Sequence, residues 1–328
     1  MIHILGAGAL GCLWAAKLSQ VTDVSFIESP RRSQTIVGSK DYIFQNSVPK
    51  CKTLKSDTLQ NHEHSDRQTL SIPRVRPFEH SKQENFASIN TLLLTTKSYD
   101  ALSALSDIRQ HLNPQTQVVL FQNGLGSQQK ILKYYSDIAI YAAVTTEGVN
   151  MTDSKTVVHA GKGKTVFGAL NDTAHSNHAR SDQAHIQNSF LLNNDLETDF
   201  HENIWETLWL KLAINCAINP FTALEDCNNG TILSRPLFLR LWPALRAELT
   251  ELLILNGIRI NESGLEAKVF EVIKLTQYNI SSMLQDIRHG KQSEIDDING
   301  FVSTALAAKN RPHKTNLMLW EKVRALGN

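Results

Sequence analysis

The 328-residue chain carries 33 Lys+Arg against 32 Asp+Glu, a formal net charge of +1, and is 41% hydrophobic. That length suffices for two domains with proper cores, and the charge balance excludes bulk attraction to nucleic acid or anionic membrane. No run approaches the ~18 apolar residues of a membrane span, and Cys12, Cys51, Cys216 and Cys227 form no CxxC pair, so reduced thiols and a cytoplasmic protein are expected.

Residues 2–5 read as a short apolar strand running into Gly6-Ala7-Gly8-Ala9-Leu10-Gly11 and then a helix over 12–18. The glycine spacing and the lack of a basic stretch before it argue against a secretory signal. A second strand over 24–27 ends at Glu28. Strand, GxGxxG, helix and strand in that order are the context that a dinucleotide-binding loop requires. Gly6 permits the turn, Gly8 lets a pyrophosphate approach the backbone, and Gly11 allows close packing of helix on strand. Glu28 stands where a carboxylate bonds a ribose 2′-hydroxyl, which favours NAD. Arg31 and Arg32 follow at once, and a guanidinium pair suits a 2′-phosphate. The expected cofactor is NADP (NADPH), with NAD left open.

The segment 39–84 reads as polar and irregular, and its His62/His64 pair has no thiol or further histidine near it, so no metal site is expected. Buried strands over 89–96 and 117–121 end at Lys97 and at Gln122-Asn123-Gly124-Leu125-Gly126. Ligands of open parallel sheets sit beyond such strand ends, so Lys97 and Asn123 are candidates to touch cofactor or substrate, with turn-capping as the plainer alternative. A further strand covers 139–144, and runs at 156–159 and 165–167 flank a hairpin-like turn at 161–164. Residues 171–189 read as a polar surface loop or the start of a helix.

From about residue 200 helical periodicity takes over. Residues 205–224 form an apolar helix with one polar stripe, Lys211, Asn215 and Asn219, four residues apart and so on one face. Buried amides cost ~1–3 kcal/mol without partners, so the stripe needs a ligand, or else amides bonded to backbone and a lysine reaching water. Pro220 disfavours helix at Asn219, so an end or kink there is expected, turning that amide outward. Helices over 237–256, 266–287 and 294–309 follow. Ser281 and Ser282 sit inside the second of these, where hydroxyls usually bond the previous turn. Ser293 reads as an N-cap with Asp296 three residues on, placing Glu294 in a first turn that keeps it ionised. Ordinary charge complementarity is the plainer account of Glu294.

GAGALG at 6–11, QNGLG at 122–126, LWLKLAINCAINPFTAL at 208–224 and NISSMLQDIRHGKQSEIDDINGF at 279–301 together resemble the ketopantoate reductase family, over nearly the whole chain. The stretches 38–85 and 171–200 carry little of it. The resemblance implies a Rossmann-type α/β domain, 1–198, and an all-α domain similar to the 6-phosphogluconate dehydrogenase C-terminal domain, 199–328. It implies NADPH-dependent reduction of ketopantoate to (R)-pantoate, a step of pantothenate and coenzyme A synthesis. The lysine matching Lys211 is the family's general acid, and the glutamate matching Glu294 is catalytic, holding the substrate hydroxyl region and touching the cofactor. Residues matching Asn215, Asn219 and Ser282 bind substrate, Asn123 bridges cofactor and substrate, and Lys97 lines the same cleft. The family's cofactor set falls on Gly6, Ala7, Gly8, Ala9, Leu10, Gly11, Arg31, Arg32, Lys97, Asn123 and Glu294. The family usually places its 2′-phosphate arginine nearer the strand end than Arg31 and Arg32, which loosens cofactor preference more than reaction class.

The implied partner is the small molecule ketopantoate, with no nucleic acid, no membrane and no metal, in a monomer or homodimer. Two rivals remain: a related NAD(P)H-dependent reductase of another 2-oxo acid, and a non-catalytic NADPH-binding regulator. A substrate panel separates the first, and cofactor binding without turnover the second.

Overall fold

The computed structural model describes residues 1–27, 38–46, 66–75, 89–153, 155–174 and 196–327. Glu28, Arg31, Arg32, Cys51, His62, His64 and most of the 171–189 loop lie outside the described residues. The chain divides into two units: Met1–Thr96, Asp100–Phe121 and Leu132–Ile204 form one, and Lys97–Tyr99, Gln122–Ile131 and Trp205–Asn328 the other.

The first unit is a Rossmann-like α/β assembly around an 11-stranded sheet. In chain order its described elements are β1 (Ile2–Leu5), α1 (Ala9–Leu18), β2 (Val24–Ile27), β3 (Gly38–Asn46), β4 (Asp66–Val75) and β5 (Thr91–Leu94). Helix α2 (Ser98–Asp107, from Asp100 on), β6 (Gln117–Leu120), α3 (Ser127–Tyr134, from Leu132 on, its earlier residues belonging to the other unit) and β7 (Ala139–Thr145) follow, then β8 (Gly148–Met151), β9 (Thr156–Gly161), β10 (Lys164–Ala169) and β11 (Glu197–Phe200). Strands β4, β2, β1, β5, β6 and β7 run parallel as neighbours. β1 and β2 are buried along their whole length, as a parallel strand covered on both faces must be. The order reverses between β1 and β5, the crevice where α/β sheets take ligands. Helix α1 is apolar on every side because it packs on β1 and β2 and also against β8 and β9. Trp14 at its centre meets Phe121 and Phe167 at 5.4 and 5.7 Å.

Two expectations fail here. The segment 39–84 is not irregular throughout: β3 and β4 form a long antiparallel pair from Gly38↔Arg74 to Asn46↔Asp66. Tyr42, Phe44 and Ile72 supply its buried face, and the polar residues between them hide the alternation in the composition. The turn at 161–164 is not a hairpin tip either. β7–β8 and β9–β10 are the two arms of one ribbon, pairing through Thr145↔Thr165 and Gly148↔Gly161. The ribbon reverses at Thr152, whose amide donates to the Thr156 carbonyl, with Asp153 accepting from the Lys155 and Thr156 amides. Residues 161–164 are the bend between β9 and β10, held where the Glu147 carboxylate accepts from the Gly163 amide and pairs with His159.

The second unit is helical: α4 (Ile204–Leu224, entered from the first unit at Ile204), α5 (Pro236–Leu255), α6 (Glu262–Leu275), α7 (Ser282–Arg288), α8 (Asn299–Ala307) and α9 (Lys314–Arg324). Helix α4 does not end or turn at Asn219; it runs through Pro220, and Asn219 is buried. Proline has no N–H for the Cys216 carbonyl one turn earlier, and the Asn299 side chain donates to that carbonyl instead, at 3.4 Å. Asn299 also donates to Asn316, which donates in turn to Glu248, whose carboxylate accepts the Thr315 and Asn316 amides in the first turn of α9. Asn299→Ala is therefore expected to lower unfolding free energy by about 1–3 kcal/mol, the cost of an orphaned buried acceptor. Urea titration, with turnover as the control, measures it.

The continuous helix expected over 266–287 is broken. The carbonyls of Gln277 and Asn279 accept from the Gly230 and Asn229 amides rather than from a following turn. Helix α7 restarts with Ser281 as N-cap, its hydroxyl accepting from the Leu284 amide, and Ser282 is exposed as the first helical residue. The helix expected over 294–309 is also split, into a 3₁₀ turn (Ile295–Asp297) and α8. The Asp297 carbonyl is taken by the Leu125 amide, so it is withdrawn from the helical ladder. Ser293 caps neither piece: Glu294 occupies the N-cap position without a side-chain cap bond.

Candidate functional site

Two constructions stand out, one in each unit. In the first, β1 runs out at Leu5 into Gly6, whose φ of +121° suits glycine alone. The Thr95 hydroxyl, just beyond β5, donates to the Gly6 carbonyl at 2.6 Å and fixes the turn. A Cβ on Gly11 would lie 2.0 Å from the Gly6 carbonyl oxygen, so the start of α1 rests directly on the turn. Gly8 is the N-cap of α1, has no side-chain cap, and would place a Cβ in open space. Ala7 and Gly8 are exposed, and Ala9 and Leu10 are half-buried. The uncapped amides of α1, its dipole and the open approach at Gly8 fit a diphosphate group.

In the second unit a charged cluster assembles from distant parts of the chain. Glu294 is 6% exposed and accepts at Oε1 from the Ser98 amide, 3.0 Å, at the first residue of α2. Its Oε2 accepts from Asn123 Nδ2 at 3.4 Å and lies 3.6 Å from Lys97 Nζ. Lys97 Nζ is closer still to Asp286 Oδ2, at 2.6 Å. Gly124 permits the close approach: its φ is +76°, and a Cβ there would lie 2.2 Å from the Asp297 carbonyl oxygen. Helix α4 carries Lys211, Asn215 and Asn219 on one face, because it continues unbroken past all three.

The electrostatics follow from burial. Desolvation pulls Lys211 down to about 8, opposed by the Glu294 carboxylate. Burial also works to lower Lys97, but Glu294 and Asp286 outweigh it and hold that ammonium above its usual value. Asp286 is raised, by burial first, with Lys97 opposing.

Of the residues singled out from the sequence, Lys97, Asn123 and Glu294 come together, and the Glu294 charge acts on Lys211. Ser282 is exposed at the start of α7. Arg31 and Arg32 lie outside the described residues. Sequence reasoning missed Asp286 and the Ser98 amide. Asp286 meets Lys97 from 189 positions away, and no local pattern marks that pairing.

The family pattern described as Ketopantoate reductase PanE/ApbA matches residues 2–172, and its C-terminal counterpart matches 203–327. The chain belongs to the ketopantoate reductase family. A 2-dehydropantoate 2-reductase of Pyrococcus horikoshii is 30% identical, across 99% of this chain and 96% of that protein. The solved PanE/ApbA family ketopantoate reductase of Ralstonia eutropha superposes with a TM-score of 0.78 at 21% identity, covering 100% and 98% of the two chains. D-mandelate dehydrogenase, solved with NADH and anilino(oxo)acetate, also gives 0.78, at 19% identity over 100% and 98%. These two likenesses establish the Rossmann-like and helical parts of the fold. Within the family fold, the QNGLG segment and the NISSMLQDIRHGKQSEIDDINGF segment are the ones that meet at Glu294, through Asn123 and through the Leu125–Asp297 bond.

Proposed function

We propose that this protein is a 2-dehydropantoate 2-reductase, reducing ketopantoate to (R)-pantoate with NADPH in pantothenate and coenzyme A synthesis. The observation that carries the reading is the Lys97–Asn123–Glu294 cluster with Lys211 under the influence of Glu294, in a chain that both family patterns match. Residues Gly6 to Gly11 hold the cofactor's diphosphate, and Arg31 and Arg32 take the 2′-phosphate. Bound there, the reduced nicotinamide supplies the hydride.

Carbonyl reduction builds negative charge on oxygen. Lys211 stabilises that charge and passes its proton to the oxygen, giving the alcohol. An ammonium near 8 is protonated at neutral pH yet gives up its proton readily. Asn215, Asn219 and Ser282 hold the substrate's hydroxyl and carboxylate, Asn123 and Lys97 contact cofactor and substrate, and Glu294 orients Lys211 and the substrate hydroxyl. No helix among the described residues is long and apolar enough to cross a membrane, and we place the enzyme in the cytoplasm as a monomer or homodimer.

The D-mandelate dehydrogenase likeness shows that this fold also serves a protein solved with an aryl-substituted 2-oxo acid derivative, so the substrate class is tested by competition. With ketopantoate, an aryl 2-oxo acid and a short aliphatic 2-oxo acid in parallel, ketopantoate is expected to give the highest kcat/KM, with NADPH above NADH. A higher kcat/KM for another 2-oxo acid assigns the protein to that substrate. Equal use of NADH means that Glu28 outweighs the arginines.

A further inference from the structure

Lys97 faces two carboxylates, and the nearer one is not the one that acts on Lys211. Asp286 Oδ2 lies 2.6 Å from Lys97 Nζ, while Glu294 Oε2 lies 3.6 Å away. Asp286 is presented by α7, a helix started by the Ser281 cap, and its side chain is 12% exposed. Ser281 is itself bonded to Thr222 near the end of α4, so the helix carrying Asp286 is anchored to the helix carrying Lys211.

Resting on the functional reading above, we propose that Asp286 is a positioning residue for the reduction. Its carboxylate takes the Lys97 ammonium at contact distance and keeps it from closing on Glu294, which leaves Glu294 to serve Lys211. The charged neighbours are consistent with this division. Asp286 interacts with Lys97, Glu294 and Lys291; Lys97 with Glu294, Asp286 and Tyr99; Glu294 acts on Lys211 and also on the neighbouring carboxyl of Asp297. Without the Asp286 charge, Glu294 is the carboxylate left to pair with Lys97 among the described residues. A Lys97–Glu294 contact shortened from 3.6 Å withdraws Glu294 from Lys211, and the loss of a negative charge acts in the same direction. Both effects make the Lys211 proton easier to lose.

The test is the alkaline limb of the kcat/KM–pH profile for ketopantoate reduction, measured for wild type, Asp286→Asn, Asp286→Glu, Lys97→Met and the Lys97→Met/Asp286→Asn double variant. Asp286→Asn is expected to move the limb down by about one pH unit, a tenfold change in proton affinity. Asp286→Glu keeps it near the wild-type position. In the Lys97→Met background the shift caused by Asp286→Asn shrinks to a small residue, because the effect runs through Lys97. An active wild type whose limb does not move in Asp286→Asn overturns the proposal alone, as does a shift that persists undiminished without Lys97. A wild type that binds NADPH but does not reduce ketopantoate overturns the functional reading, and the proposal with it.

Discussion

Lys211→Ala lowers kcat for ketopantoate reduction by about 10²–10⁴-fold, the usual contribution of a placed proton donor. NADPH affinity, read from the quenching or enhancement of cofactor fluorescence, is expected to stay near wild type, because the proposed diphosphate site is the glycine loop in the other unit. Alanine is a good helix former and Lys211 lies inside the long helix α4, so the fold survives and melting temperature serves as the control. Lys211→Arg separates charge from proton donation: arginine keeps a cation but does not release a proton near neutral pH. It is expected to lose turnover nearly as completely as alanine does. The pH dependence has a definite sign. Lys211 is lowered to about 8, chiefly by burial, and the acid must be protonated to act. Activity governed by Lys211 is therefore full below about 8 and falls as pH rises through it. A profile flat across that range, or one that rises, contradicts the assignment of Lys211 as the acid.

Two glycines of the same loop respond in opposite ways. Gly11→Ala puts a methyl 2.0 Å from the Gly6 carbonyl oxygen and 2.6 Å from the Thr95 hydroxyl. Backbone must move, and overpacking of this kind costs about 1–3 kcal/mol, so thermal stability and cofactor binding fall together. Gly8→Ala meets nothing within 4 Å, and its φ of −85° is ordinary for any residue. Its stability is expected to hold or rise slightly, since alanine restricts the unfolded chain. NADPH affinity nonetheless drops by about tenfold or more, ~1.4 kcal/mol, because the added methyl stands at the open approach to the α1 amides. Calorimetric melting beside a fluorescence titration distinguishes the two. If Gly8→Ala binds NADPH as tightly as wild type, the loop is not the diphosphate cradle.

How far the sequence carries depends on the range of the interactions involved. The β1–loop–α1–β2 unit was legible because strand, spaced glycines, helix and strand follow one another directly in the chain, although Gly6 and Gly11 also pack against the distant Thr95. The buried parallel strands were legible for the same reason, being continuous apolar runs. β3 and β4 were not, because the side chains buried there among the described residues, Tyr42, Phe44 and Ile72, are spread across two otherwise polar strands. Pro220 misled because its effect on α4 is reversed by Asn299, 83 positions beyond the carbonyl that it serves. The breaks near 276–281 and at 298 were hidden likewise, since distant amides at Asn229, Gly230 and Leu125 take the carbonyls that would have continued those helices. At the site, Lys97, Asn123 and Glu294 were each visible as polar residues at strand or helix ends. Their meeting, and the part of Asp286 in it, belongs to the tertiary structure alone.

The most direct test of the account is the steady-state oxidation of NADPH by the purified protein with ketopantoate, run with wild type and Lys211→Ala at pH 7. The account predicts rapid oxidation by wild type, pantoate as the product, and a rate about 10²–10⁴-fold lower in the variant with NADPH still bound. Absence of oxidation by a wild type that binds NADPH, or a variant as fast as wild type, contradicts it.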